Sequence, residues 1–422
     1  MKLAAILLFI AMYAVMIIKP NIRMYAALAV AIIYCLLGIV STAEIGPAID
    51  FNVIFMIVGT MVVVDYFIDS KMPNRLSEIL LGKSKNVRMA IILMSLFAGI
   101  VSAFIDNVAT VLMIAPVGMA ICRKLDINPT GMILAIAVSS NLQGAATLVG
   151  DTTSIMLGTY AKMDFTDFFF MQGKPGIFFA VELGALATIL VMRIIFKNQN
   201  EPVSGGAYVE IESSWPSVML IGIVVALIAA SFIPNKPSMT NGLICVSCAL
   251  ISMLIDFAKN KKIRKIWKKL LNVDTETIIL LASMFVVIRG VQNVGLIKDA
   301  SEFIGSLGQG NIFILYTAIV WISVLVSAFV DNIPYVATML PVVQEISLSL
   351  GISPYLLYFG LLSGATLGGN ITPVGASANI TATGILRQAG YDVKFKDFAK
   401  IGIPFTLTAV IVGYVFLWIV WR

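Results

Sequence analysis

The sixteen residues SAFIDNVATVLMIAPV, Ser102 to Val117, return as SAFVDNIPYVATMLPV at Ser327 to Val342, with eight positions identical and an offset of 225 residues. Each copy sets an Asp-Asn pair, Asp106 with Asn107 and Asp331 with Asn332, at the middle of a long apolar stretch, 88–122 and 311–350. A second block keeps the same offset: GAATLVGDTTS, Gly144 to Ser154, aligns with GNITPVGASAN, Gly369 to Asn379. Two blocks in one order at one spacing read as an internal repeat, and every element of the fold must accommodate it.

The residues around the repeats belong in a bilayer. With 59% hydrophobic and 12% charged residues, the chain has more apolar surface than a water-soluble core can bury. Ten apolar segments are long enough to cross about 30 Å of hydrocarbon. They fall near 3–19, 22–40, 51–69, 130–162, 175–196, 215–233, 239–256, 275–293, 354–383 and 401–421. The segments at 130–162 and 354–383 are over-long and interrupted by the Gly-rich blocks. The Asp-Asn stretches, apolar on both sides of a polar centre, suit re-entrant hairpins that enter and leave on one side.

The basic residues give an orientation. With the N-terminus outside and both hairpins re-entrant, 22 of the 29 Lys and Arg residues fall in cytoplasmic segments, as the positive-inside rule requires. Arg23, at the start of the second span, is counted there, and Arg289 falls within a span. Both termini are then outside. The densest basic run, KNKKIRKIWKKL at Lys259 to Leu270, reads as an amphipathic helix on the anionic inner leaflet, so the net charge of +6 calls for no nucleic-acid partner. Each half holds five spans and one hairpin. Because five is odd, the second half enters upside down. The expected fold class is thus an all-α polytopic membrane protein of two inverted-topology repeats, 1–197 and 215–422, joined by a cytoplasmic linker at 198–214. The expected location is the bacterial inner membrane.

Inversion brings the two hairpin tips together near the midplane, beside the breaks in the two over-long spans. Free helix ends survive at membrane depth only inside protein or around a polar cavity. The candidate substrate and ion ligands are Asp106, Asn107, Asn141, Thr147, Asp151, Thr152 and Thr153 from the first half. The second half supplies Asp331, Asn332, Asn370, Thr372, Ser377 and Asn379. Asp106, Asn107, Asp331 and Asn332 are candidates for Na⁺; no other cofactor is expected. Asp106, Asp151 and Asp331 each precede a helix, so each also fits as an N-cap. No Lys or Arg is expected at this site, which argues against large organic anions. Without His, proton coupling would rest on buried carboxylates. Cys245 and Cys248 have metal-like spacing but no second pair or His to complete a site. No Ser or Cys nucleophile has a plausible base, so an enzyme is not expected.

The paired SAF.DN hairpins, SN..GAATL.GD at Ser140 to Asp151, GGN.T.VGASAN at Gly368 to Asn379 and the late AGYDVKFKDFAK together resemble the ArsB/NhaD ion-transporter superfamily, closest to bacterial relatives of the melanosomal P protein. The resemblance implies an elevator-type transporter whose scaffold often forms a homodimer, with its ion and substrate region on Asp106, Asn107, Thr110, Asp151, Asp331, Asn332, Asn370, Thr372 and Asn379. The expected function is Na⁺- or H⁺-coupled movement of a small inorganic anion or arsenite-like oxyacid. The alternatives are an NhaD-type Na⁺/H⁺ antiporter, which the run Gly150 to Ser154 favours, a di- or tricarboxylate symporter, and an ion channel.

Overall fold

The computed structural model describes residues 1–203, 209–308 and 310–422. In chain order its helices are α1 (Lys2–Ile18), α2 (Arg23–Leu36), α3 (Thr42–Ala48), α4 (Phe51–Asp69), α5 (Met72–Gly82), α6 (Val87–Ser102) and α7 (Asn107–Lys124). There follow α8 (Thr130–Gly144), α9 (Thr152–Tyr160), α10 (Ile177–Ile195), α11 (Trp215–Ser231), α12 (Thr240–Asn260), α13 (Ile263–Leu271) and α14 (Thr275–Asn293). The last are α15 (Leu296–Leu307), α16 (Ile312–Ser327), α17 (Asn332–Leu350), α18 (Tyr355–Gly368), α19 (Ser377–Gln388) and α20 (Phe395–Trp421). Among the described residues α4, α7, α10, α12, α14, α17 and α20 are each long and apolar enough to cross a membrane, and α1, α2, α6 and α11 are shorter apolar helices.

A helix or an interrupted helix pair occupies each apolar segment read from the sequence. The expectation of an all-α chain needs one small amendment, a two-residue antiparallel pair of strands, β1 (Phe170–Met171) and β2 (Lys174–Pro175), closed by Gln172 and Gly173 at positive φ. Helices α3, α5 and α15 were not legible as apolar runs because they are short and carry polar residues between the spans. The capping chemistry is local: Asn86, Asp50, Asp274 and Asn311 each accept a backbone N–H from the first turn of α6, α4, α14 and α16.

Packing recurs between the halves. Helix α6 lies along α8 as α16 lies along α18, while α9 packs on α17 and α19 on α7, so each broken span touches the other half's hairpin. Helices α4 and α12, α2 and α14, and α10 and α20 form the other extensive contacts. At the α4–α12 crossing, a Cβ on Gly59 would stand 2.4 Å from the carbonyl carbon of Cys245, so only glycine permits this approach.

Ion pairs tie the loops together. Lys2 meets Asp299 at 2.6 Å, Arg289 meets Glu44 at 3.1 Å, and Lys236 pairs with Asp164. A second set joins Lys71 to Glu212 at 2.6 Å, and Lys269 to Asp65 and Asp69 at 2.8 and 2.7 Å. The basic run at 259–270 is not one helix: α12 continues to Asn260, and α13 follows with Ile263, Trp267 and Leu271 exposed. Lys269 departs from a purely leaflet-facing role, since it is buried beneath α4 and lies 5.0 Å from the Tyr66 ring centroid.

Candidate functional site

Both hairpin turns are built alike. Asp106 is the N-cap of α7 and accepts from the backbone N–H groups of Val108 and Ala109 at 3.0 and 3.2 Å. Asp331 is the N-cap of α17 and accepts from Ile333 N–H at 3.0 Å. The capping role read from the sequence is therefore real for these two, and it fixes where each carboxylate sits. Asp151 also occupies an N-cap position, of α9, but its side chain makes no cap hydrogen bond. It accepts instead from Thr153 Oγ1 at 2.9 Å and from Asn332 Nδ2 of the opposite half at 3.3 Å.

The helix breaks clasp the hairpin turns by equivalent contacts. Thr147 donates to the Ala103 carbonyl, and Thr372, 225 residues on, donates to the Ala328 carbonyl at 2.5 Å. Ser154 Oγ donates to Gly144 O at 3.2 Å, and Asn379 Nδ2 to Gly369 O at 3.0 Å. A Cβ on Gly150 would come within 2.8 Å of Ser102 O, and one on Gly375 within 2.7 Å of Ser327 O, so these repeated glycines let the break lie directly on the turn.

A buried amide chain then joins the halves. Asn107 Nδ2 donates to Asn141 Oδ1 at 2.9 Å, and Asn141 Nδ2 donates to Thr366 O at 2.7 Å and Asn370 Oδ1 at 3.1 Å. Asn370 Nδ2 in turn donates to Val138 O at 2.9 Å. Position 366 is the repeat equivalent of 141, so the chain crosses between equivalent points of the two halves.

These elements surround a narrow cleft lined by Asp106, Asn107, Asp151, Thr152, Asn332 and Ser377, together with Asp274 and Thr277 at the start of α14. Asp331 adjoins it through Ser377, whose Oγ donates to Asp331 Oδ2 at 2.8 Å. The other sequence candidates do not line this cleft. Thr110 bonds back to Ile105 O at 3.4 Å, while Asn141, Thr147, Thr153, Asn370, Thr372 and Asn379 hold turns, breaks and one another in place. A second opening, lined by Asp65, Asp106, Asn272 and Asp274, extends from the hairpin tip along α4.

Two functional groups were missed. Asp274 was readable only as the cap of a span, and nothing in its own neighbourhood signals that α14 starts beside Asp106. Arg23 corrects an explicit expectation: a basic residue does reach the site, because its Nη1 pairs with Asp331 Oδ2. The side chains of this pair are 16% and 8% exposed. In sequence Arg23 has the setting of a loop charge because it opens an apolar span, and only the tertiary fold carries it to the hairpin.

Residues 12–361 match the family model described as a citrate transporter, CitMHS. The chain belongs to this family. It is 30% identical over 428 residues to a 46 kDa membrane protein of Mycobacterium leprae, covering 99% of each chain. It is 24% identical over 449 residues to the human P protein, covering 87% of this chain and 53% of that one. An uncharacterised transporter of Mycobacterium tuberculosis is 28% identical, covering 99% of this chain and 98% of its own. The fold is shared with the YdaH transporter of Alcanivorax borkumensis, with a TM-score of 0.59 at 12% identity over 87% of this chain and 84% of that one. The chain is thus a multi-pass membrane transporter rather than an enzyme, and its resemblance to the ion-transporter superfamily holds.

Proposed function

We propose that this transporter couples Na⁺ or H⁺ to the movement of a small anion, by an elevator motion of two inverted repeats. The observation that carries the reading is the convergence of both hairpin turns and both helix breaks on one buried polar cleft, with matching contacts at the 225-residue offset. The N-termini of α9 and α19, which carry no side-chain cap hydrogen bond, favour an anion there, and Asp106, Asp151 and Asp331 favour a cation beside it. Asn107 and Asn332 commit their amide nitrogens to Asn141 and Asp151, which leaves the amide oxygens as the ends suited to Na⁺.

Sidedness rests on the charge distribution, with both termini outside the inner membrane. The loop ion pairs Lys2–Asp299, Lys71–Glu212 and Lys236–Asp164 accord with it, each joining two segments that the count assigns to one side. The small cleft favours a small inorganic anion or oxyacid. A di- or tricarboxylate is the second reading, favoured by Arg23 at Asp331 and by the family match. The test is purified protein in liposomes with imposed Na⁺ or pH gradients, screened against arsenite, phosphate, sulfate and citrate. Cation-coupled uptake of arsenite, phosphate or sulfate supports the reading, and cation-coupled citrate uptake supports the second. Na⁺-dependent proton movement without an anion would replace it with Na⁺/H⁺ antiport, and unsaturable conductance would replace it with a channel.

A further inference from the structure

The two hairpin tips are equivalent in sequence but not in surroundings. The openings at Asp106 are lined by further carboxylates, Asp274 and Asp65, the latter already paired with Lys269, and among the described residues by no Lys or Arg. Asp331 meets a guanidinium. Arg23 opens α2 and pairs with Asp331 Oδ2, the same oxygen that accepts from Ser377, while Oδ1 caps α17. The neighbouring helix α1 holds the same tip: Tyr13 OH donates to Pro334 O at 2.8 Å and lies 2.7 Å from Thr338 Oγ1. A mobile cation and the guanidinium cannot share one largely buried carboxylate oxygen, because like charges at contact repel strongly away from bulk water.

We propose that Arg23 is a tethered cation that displaces the coupling cation from Asp331 in this conformation, and so drives its release. This rests on the cation-coupled reading above. Tip and helix must separate before Asp331 can take up a new cation, which makes the exchange of partners part of the transport cycle. Arg23 is here a positioning residue for the cation and needs no contact with the transported anion.

The test compares wild type with Arg23→Gln, Arg23→Lys and Tyr13→Phe, each as full-length protein in liposomes. Flux is followed against Na⁺ at fixed pH and against pH at fixed Na⁺. If Na⁺ is the coupling cation, Arg23→Gln should be inhibited by Na⁺ on the release side at about tenfold lower concentration than wild type, since a close charge pair of this kind commonly contributes at least that factor. If H⁺ is the coupling cation, its pH of half-maximal flux should move upward, because the guanidinium no longer competes with the proton. Arg23→Lys should stay near wild type, and Tyr13→Phe should leave both midpoints unchanged.

A lower maximal rate in Arg23→Gln with unmoved midpoints would overturn the tether, as would an equal shift in Tyr13→Phe, which would assign the effect to tip packing. If Arg23→Gln is not recovered folded, Arg23→His gives the comparison within one protein, being charged near pH 5.5 and neutral near pH 7.5. Its Na⁺ inhibition midpoint should then fall with rising pH more steeply than that of wild type, and a parallel response would reject the proposal. Wild type without any Na⁺ or H⁺ dependence would instead remove the cation-coupled reading itself.

Discussion

Replacing Asn141 by Ala should loosen the junction between the halves. Asn141 is fully buried and makes three inter-element bonds, one accepted from Asn107 and two donated to Thr366 and Asn370. Hydrogen bonds between helices in membrane proteins average about 0.6 kcal/mol, so three contribute about 2 kcal/mol. Truncation costs more than the bonds alone, because the Asn107 amide and two acceptors stay buried without this partner, at about 1 kcal/mol for each in place of about 0.6. The expected loss is about 3 kcal/mol, roughly a hundredfold in the unfolding equilibrium. Tryptophan fluorescence during SDS titration of the purified protein in mixed micelles reads it directly. Ser231→Ala, which removes only a bond to Leu227 O within α11, should change stability by less than about 0.5 kcal/mol. A loss that small for Asn141→Ala would refute the bridge, and strict additivity with Asn107→Ala would refute its coupling to the first hairpin.

The Asp106→Asn, Asp331→Asn double variant should fold, because Asn caps helices as Asp does, yet lose cation-dependent flux; wild-type flux would remove these residues from the site. Gly59→Ala should cost about 1–3 kcal/mol by forcing α4 and α12 apart, whereas Gly222→Ala, with nothing within 4 Å of the added Cβ, should be neutral or slightly stabilising in the same titration. Hydrogen bonds from the backbone and hydroxyl of Ser41, then from Asn293 and Arg289, hold the Glu44 carboxyl down to about 2. Its contribution is fully present above the ordinary carboxylate range, declines as pH falls through that range and is gone below about 2, so Glu44→Gln should alter stability at pH 7 and not below pH 2. In a background without the native cysteines, single cysteines at Ser238 and Ser306 should react with impermeant thiol reagents from outside and one at Asn260 only from the cytoplasm. Ser306 is exposed and serves where the buried Ser301 would not; outside labelling at 260 would invert the orientation.

The positions of the apolar helices and of the turns and breaks between them were legible because a lipid-facing backbone must close its own hydrogen bonds, and long apolar runs interrupted by Asp-Asn or Gly-rich blocks leave few ways to do so. Asp106, Asn107, Asp151, Thr152, Asn332 and Ser377 were legible for the same reason: a polar residue at membrane depth needs a partner. The division between lining and support was not. Thr147 and Thr372 look like ligands in the sequence, and only the carbonyls of Ala103 and Ala328, 44 residues away in each half, show that they serve the turns. Asp274 and Arg23 were hidden by their ordinary settings at the starts of spans.

The repeat constrains the fold more tightly than the chemistry, and the difference lies in where the halves diverge. Asp151 has Ala376 at its equivalent position, Asn141 has Thr366, and Arg23 reaches only the second hairpin. Symmetric contacts, such as Thr147 and Thr372 on their turns, let either half adopt the other's arrangement, which is what alternating access between two faces requires. Asymmetric ones assign the halves different charges. With Arg23 engaged, the second tip is neutralised by the protein itself, while the first faces Asp274 across the cleft with no basic residue among its lining. The first tip therefore carries the stronger local field for a cation in this conformation, and the second becomes attractive only when the hairpin leaves α2. An anion entering the cleft meets a net acidic wall unless a cation accompanies it or Arg23 turns toward it. On the cation-coupled reading proposed above, coupling then follows from electrostatics: the cation makes the site tolerable to the anion, and separation of the Arg23–Asp331 pair makes the second tip available to the cation.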